Sequence, residues 1–70
     1  MKAYQKRAIA EKKELDERGD ILDEFILSDN FRMLPTAEQE LMTRQLEIMG
    51  EYSEILGRRI ALFWQPGEKL

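Results

Sequence analysis

Apolar residues recur at helical spacing in two blocks of this chain, parted by a short stretch of turn-forming residues. In the second block Met42, Gln45, Met49, Tyr52, Leu56, Arg59 and Phe63 alternate at steps of three and four. That is the spacing of a heptad seam on a helix. Leu41, Ile48 and Ile55 flank the seam on one side, and Leu46 and Ile60 on the other. So wide an apolar face needs more than one partner surface. The pattern predicts one long helix over about residues 36–64. Thr36 with Gln39 three residues later predicts a capping box at its start, and Pro66-Gly67 should end it near Gln65.

The first block places Tyr4, Ala8, Leu15, Leu22 and Phe25 on one seam, with Glu11 and Arg18 in the same stripe. A helix over about residues 2–28 follows. Gly19 is the one position that argues for a break, since glycine in a helix interior costs about 1 kcal/mol relative to alanine. Ser28-Asp29-Asn30 is turn chemistry, and Pro35 disfavours helix at Leu34, so about residues 29–35 form the loop. Phe31, Met33 and Leu34 would plug the end of the bundle there. A connection this short returns the chain antiparallel. The expected fold is all-α: one domain over residues 1–70, an antiparallel two-helix hairpin that assembles into an oligomeric helical bundle.

That register brings Phe25 near Met42 and Tyr4 near Phe63, and sets Glu11 within reach of Arg59. Glu11, Arg18, Gln45, Tyr52 and Arg59 then sit on otherwise apolar seams. They read as a buried polar network that fixes register and oligomer state, with a ligand site as the alternative. A second face of the long helix carries Gly50, Ser53, Gly57 and Ala61. Two glycines mid-helix are costly, and a close crossing by another helix would offset them, so this face is a candidate subunit interface.

Composition narrows the chemistry. The 70 residues include no Cys and no His, which removes disulfides, thiolate nucleophiles, imidazole bases and soft-metal sites together. The paired acids Glu11 and Glu14, Asp20 and Asp23, and Glu51 and Glu54 lie beside lysines or off the seams, and read as solvated faces. Neither catalysis, a metal nor a cofactor is expected. No run approaches the roughly 20 apolar residues of a membrane span, so a cytoplasmic protein with no membrane partner is the expectation.

Charge points to a site. Residues 1–13 carry a net +4 and residues 58–70 a net +2, whereas the stretch between is strongly acidic. A hairpin gathers the two basic ends, and with them Tyr4, Lys6, Arg7, Arg58, Phe63 and Trp64. Cations supply phosphate affinity and aromatics supply stacking or a hydrophobic anchor. The candidate partners are therefore a second copy of the chain, a small nucleotide, or another protein; extended nucleic acid is not expected.

The string Tyr4-Gln5, Glu11-Lys12, Glu14-Leu15, Phe31, Leu34-Pro35, Glu38-Gln39, Leu41, Gln45, Met49, Tyr52-Ser53, Ile55-Leu56, Arg59-Ile60 and Phe63 resembles a group of small phage- and prophage-encoded helical-hairpin proteins. The resemblance spans nearly the whole chain and carries no catalytic motif. It implies a phage protein that acts by binding, interfering with a host factor or defence pathway in the infected cell. Sequestration of a host nucleotide signal, or a structural role in assembly, are the alternatives it leaves.

Overall fold

The computed structural model describes residues 1–64, which form α1 (Ala3–Ile26), α2 (Asp29–Arg32) and α3 (Thr36–Leu62). The described residues are all-helical, with no strand among them. The stop expected near Gln65 and Pro66-Gly67 lies outside the described residues. α1 runs through Gly19 without a break.

Helix starts follow from which backbone N–H groups find an acceptor. At α1 the Gln5 side chain accepts the Lys2 N–H at 2.9 Å, satisfying one donor that the helix cannot. At α3 the expected capping box is not formed. Pro35 takes the cap position, with φ −57° and ψ 148°, and Thr36 is already the first helical residue. Proline's fixed φ suits that position and it brings no N–H to satisfy, so Thr36 stands one residue too late to cap. Gln39 instead donates to the Leu34 carbonyl at 2.8 Å and tethers the loop.

The loop holds a turn of helix that the pattern did not predict. Ser28 caps α2 by accepting the Phe31 N–H, and its hydroxyl donates to the Phe25 carbonyl. Phe31 stands edge-on to Phe25, with ring centroids 6.2 Å apart, and closes this end of the helix pair. Leu34 is half-buried, but Met33 is 82% exposed and takes no part in the plug.

α1 and α3 touch along their length, and the numbers of touching residues rise on one helix as they fall on the other. Tyr4 meets Phe63, Lys12 meets Ser53 and Gly19 lies opposite Met49. Along α3 and its C-cap, Met42, Leu46, Met49, Ser53, Leu56, Ile60 and Phe63 are shielded, with Gln39 and Gly57 half-buried beside them. On α1 Gln5, Ala8, Lys12, Leu15, Gly19, Leu22 and Ile26 hold the same steps of three and four, with Asp16 and the expected seam residue Phe25 half-buried beside them. Each expected seam thus had one column right and its companion displaced to the wrong side. Glu11 and Arg18 give way to Lys12 and Gly19; Gln45, Tyr52 and Arg59 give way to Leu46, Ser53 and Ile60.

The expected polar network is not buried within a single chain. Glu11, Arg18, Gln45, Tyr52 and Arg59 are all exposed in the chain, because a helix pair covers two columns of each helix and these lie in the next column round. The Glu11–Arg59 pair is not formed either. Glu11 accepts the Tyr52 hydroxyl, and Arg18 bonds Glu14 one turn away.

The small-residue face meets α1 of the same chain at two points. Ser53 bonds Lys12, and a Cβ added at Gly57 would stand 3.4 Å from the Lys12 Cε. Ala61 is exposed, and Gly50 has nothing within 4 Å of where its Cβ would lie. Gly50→Ala should therefore raise stability by about 1 kcal/mol, the helix-propensity difference, with no contact to disturb. Urea denaturation followed by circular dichroism measures it, and a loss in stability would mean that the open space is filled.

Candidate functional site

The ends of α1 and α3 that lie away from the loop build a pocket. Tyr4 and Phe63 pack edge to face with centroids 5.9 Å apart, which fixes both rings. Beside them Gln5, Arg59 and Leu62 line an open hollow of about 400 Å³. A smaller recess of about 100 Å³ adjoins it, between Met1, Gln5, Phe63 and Trp64. Gln5 is buried between the two, held by its bond to the Lys2 N–H.

Charge at this end is uneven in a useful way. Arg58 donates to Glu54 at 3.0 Å, so part of its charge is met on its own helix. Lys2, Lys6, Arg7 and Arg59 have no acid within ion-pair distance among the described residues. Arg59 is the one of these that lines the larger pocket. Its guanidinium, a fixed fork of donors, suits a phosphate or carboxylate, and the Tyr4 ring beside it offers an apolar surface.

Of the residues expected to bind, Tyr4 and Phe63 come together in the pocket, and Trp64 flanks the recess. Lys6 and Arg7 belong to the same end without lining either hollow. Phe63 is buried against Tyr4 and closes the core, while Trp64 is 61% exposed. Arg59, assigned from the sequence to the buried network, is part of the pocket instead. Gln5 and Leu62 were missed. Gln5 stands three residues after Lys2, the spacing of a helix-start bond. Leu62 continues the sevenfold series Leu41, Ile48 and Ile55.

Midway along the pair, two polar crossings hold α1 to α3. Lys12 donates to Ser53 at 2.8 Å and to Asp16 at 2.9 Å, and the Ser53 hydroxyl donates to Asp16. Across the other flank Tyr52 donates to Glu11. The Ser53 and Lys12 bonds hold the Asp16 carboxyl below its ordinary value, and the bond to Glu11 raises the Tyr52 hydroxyl. The signs bracket a pH window. Asp16 contributes fully above its unfolded value of 3.8 and loses its contribution as pH falls through the lowered one. Tyr52 contributes fully below its unfolded value of 10.0 and loses it as pH rises through the raised one. Melting temperature against pH should fall at both limits. Asp16→Asn should flatten the acid limb and Tyr52→Phe the alkaline limb; limbs unchanged in both variants would refute the crossings.

A groove of about 330 Å³ runs along the Ser53 flank, lined by Asp16, Asp20 and Asp23 with Gly19 and Gly50. Its carboxylates repel a phosphate, so anion binding belongs to the opposite, basic end. Among the described residues no group of three or more acids is placed to hold a metal ion, and no helix is long and apolar enough to cross a membrane.

No curated protein and no solved structure matches the chain. The family model described as Sequestin matches residues 2–62, a span that takes in α1, α2 and α3 together with the Tyr4, Gln5, Arg59 and Leu62 walls of the pocket, and the chain belongs to the Sequestin family.

Proposed function

We propose that this chain is a non-catalytic phage protein that withholds a small phosphate-bearing nucleotide in the cytoplasm of the infected cell, and so blunts a host defence signal. The family's name describes holding something apart, which fits binding without turnover. The observation that carries the ligand class is the pocket where Arg59, unpaired with any described acid, stands beside the Tyr4–Phe63 ring pair. Lys2, Lys6 and Arg7 add to the positive potential of that end, and this draws an anion in. In this reading the antiparallel hairpin is the working unit and it acts as a homo-oligomer.

A second reading rests on Trp64, whose exposed ring offers an anchor for a host protein. Phe63 does not share that role, since it is spent on the core.

Calorimetric titration with a panel of cyclic and linear nucleotides tests the first reading, with the bound ligand recovered from denatured protein and weighed. Tight binding of an intact nucleotide supports it. A ligand recovered in cleaved form would overturn the non-catalytic reading. No nucleotide bound, and a host protein captured by wild type but lost in Trp64→Ala, would replace it with the second.

A further inference from the structure

About 100° round α3 from the seam that meets α1, Leu41, Ile48, Ile55 and Leu62 stand seven residues apart. They are 68, 49, 55 and 60% exposed. Gln45, Tyr52 and Arg59, all exposed, fall between them at steps of four and three. These seven residues make a second heptad seam with no helix on it. The seam against α1 meanwhile leaves Leu56 as the largest fully buried side chain, with Ala8 and Phe63 the other buried apolar residues described. So slight a core does not sustain a chain of this length by itself.

We propose that a second copy of this chain covers the outer seam, with the two α3 helices antiparallel. Charge selects that direction. The column beside the seam reads Arg44, Glu51 and Arg58. Parallel pairing would set Arg59 against Arg59 of the partner subunit and turn the charged column toward the apolar Met49 and Leu56 column. Antiparallel pairing, with Tyr52 beside Ile55 of the partner subunit, separates the arginines. It places Glu51 opposite Arg58 of the partner subunit, and the twofold axis repeats the pair. The bonds these side chains make within one chain, Arg44 to Glu51 at 3.9 Å and Arg58 to Glu54 at 3.0 Å, are exposed and exchange readily.

The same register brings Gln45 of the partner subunit to Leu62. Leu62 and Arg59 belong to both the outer seam and the pocket, so the second copy supplies the wall that a single chain lacks. Two equivalent pockets then form per dimer. This shared wall rests on the nucleotide reading of the pocket; the association does not.

Light scattering on the ligand-free protein should give a dimer or a multiple of it, and a monomer at micromolar concentration would overturn the proposal. The chain has no cysteine, so single cysteines report register cleanly. Chains carrying Gln45→Cys mixed with chains carrying Leu62→Cys should cross-link on oxidation, and Gln45→Cys alone should not. Cross-linking of Gln45→Cys with itself would show a parallel pair and refute the register. Glu51→Arg and Arg58→Glu should each weaken the dimer several-fold, and the two together should restore it. A mixed cross-link in a protein that binds no nucleotide would uphold the interface while removing the ligand reading.

Discussion

Leu56→Ala is expected to destabilise the chain by about 2–5 kcal/mol, the usual range for truncating a fully buried leucine. Leu56 has no exposed surface and lies on the column of α3 that faces α1. The two helices are tied together nearby, Tyr4 to Phe63 and Lys12 to Ser53, which limits how far they can close onto the gap. Small domains have total stabilities near the low end of about 5–15 kcal/mol, so this loss leaves a substantial unfolded fraction at room temperature. Urea denaturation followed by helical circular dichroism measures it. Leu41→Ala provides the contrast: on a single chain it removes an exposed side chain and should cost little, while weakening self-association. A loss below 1 kcal/mol for Leu56→Ala would mean that α1 and α3 do not pack along the observed columns.

The sequence made the helices legible and left the choice of column open. Heptad spacing defines a central column, here Ala8, Leu15 and Leu22 on α1 and Met42, Met49, Leu56 and Phe63 on α3. It allows the companion column on either side. On α3 hydropathy favours Leu46 and Ile60 over Gln45 and Arg59. On α1 it gives little guidance, because Glu11 and Arg18 compete with Lys12 and Gly19. What decides is cross-helix chemistry. Lys12 spans to Ser53 with its stem over Gly57, and Gly19 faces the Met49 methyl. Neither contact exists until both helices are placed, so no pattern within one helix reveals them.

The same shift by one column explains the site. Tyr4 and Phe63 were expected to meet and to form part of a basic, aromatic end. Arg59 was an anomaly in a seam where an apolar residue belonged, which led to a buried pairing with Glu11. Moved one column round, it lies off the seam with α1 and lines the pocket. The glycines show a related limit. Gly50, Ser53 and Gly57 read as one small face, yet Ser53 and Gly57 serve the crossing with α1 while Gly50 stands open over the acidic groove.

Arg59→Ala should weaken nucleotide binding by about ten- to hundredfold. A hydrogen bond to a charged group contributes about 1.5–3 kcal/mol, and each 1.4 kcal/mol is a factor of ten in affinity. Arg58→Ala should have the smaller effect, because Arg58 lines neither hollow at the open end. The two arginines are sequence neighbours of equal charge. A purely diffuse attraction would therefore be reduced alike by either change, and only direct contact separates them. Salt provides the second axis of the measurement. Wild-type affinity should fall as salt rises, and Arg59→Ala should show a shallower dependence because one contact is gone. Tyr4→Phe keeps the ring against Phe63 and should bind nearly as wild type, whereas Tyr4→Ala loses the stacking surface and loosens the end of the pair. Calorimetric titration of these variants at low and high salt, with circular dichroism to confirm that each is folded, reads all of this at once. Equal losses for Arg58→Ala and Arg59→Ala would place the ligand outside the pocket. A loss confined to Arg58→Ala would move the site to the Glu54 side of α3.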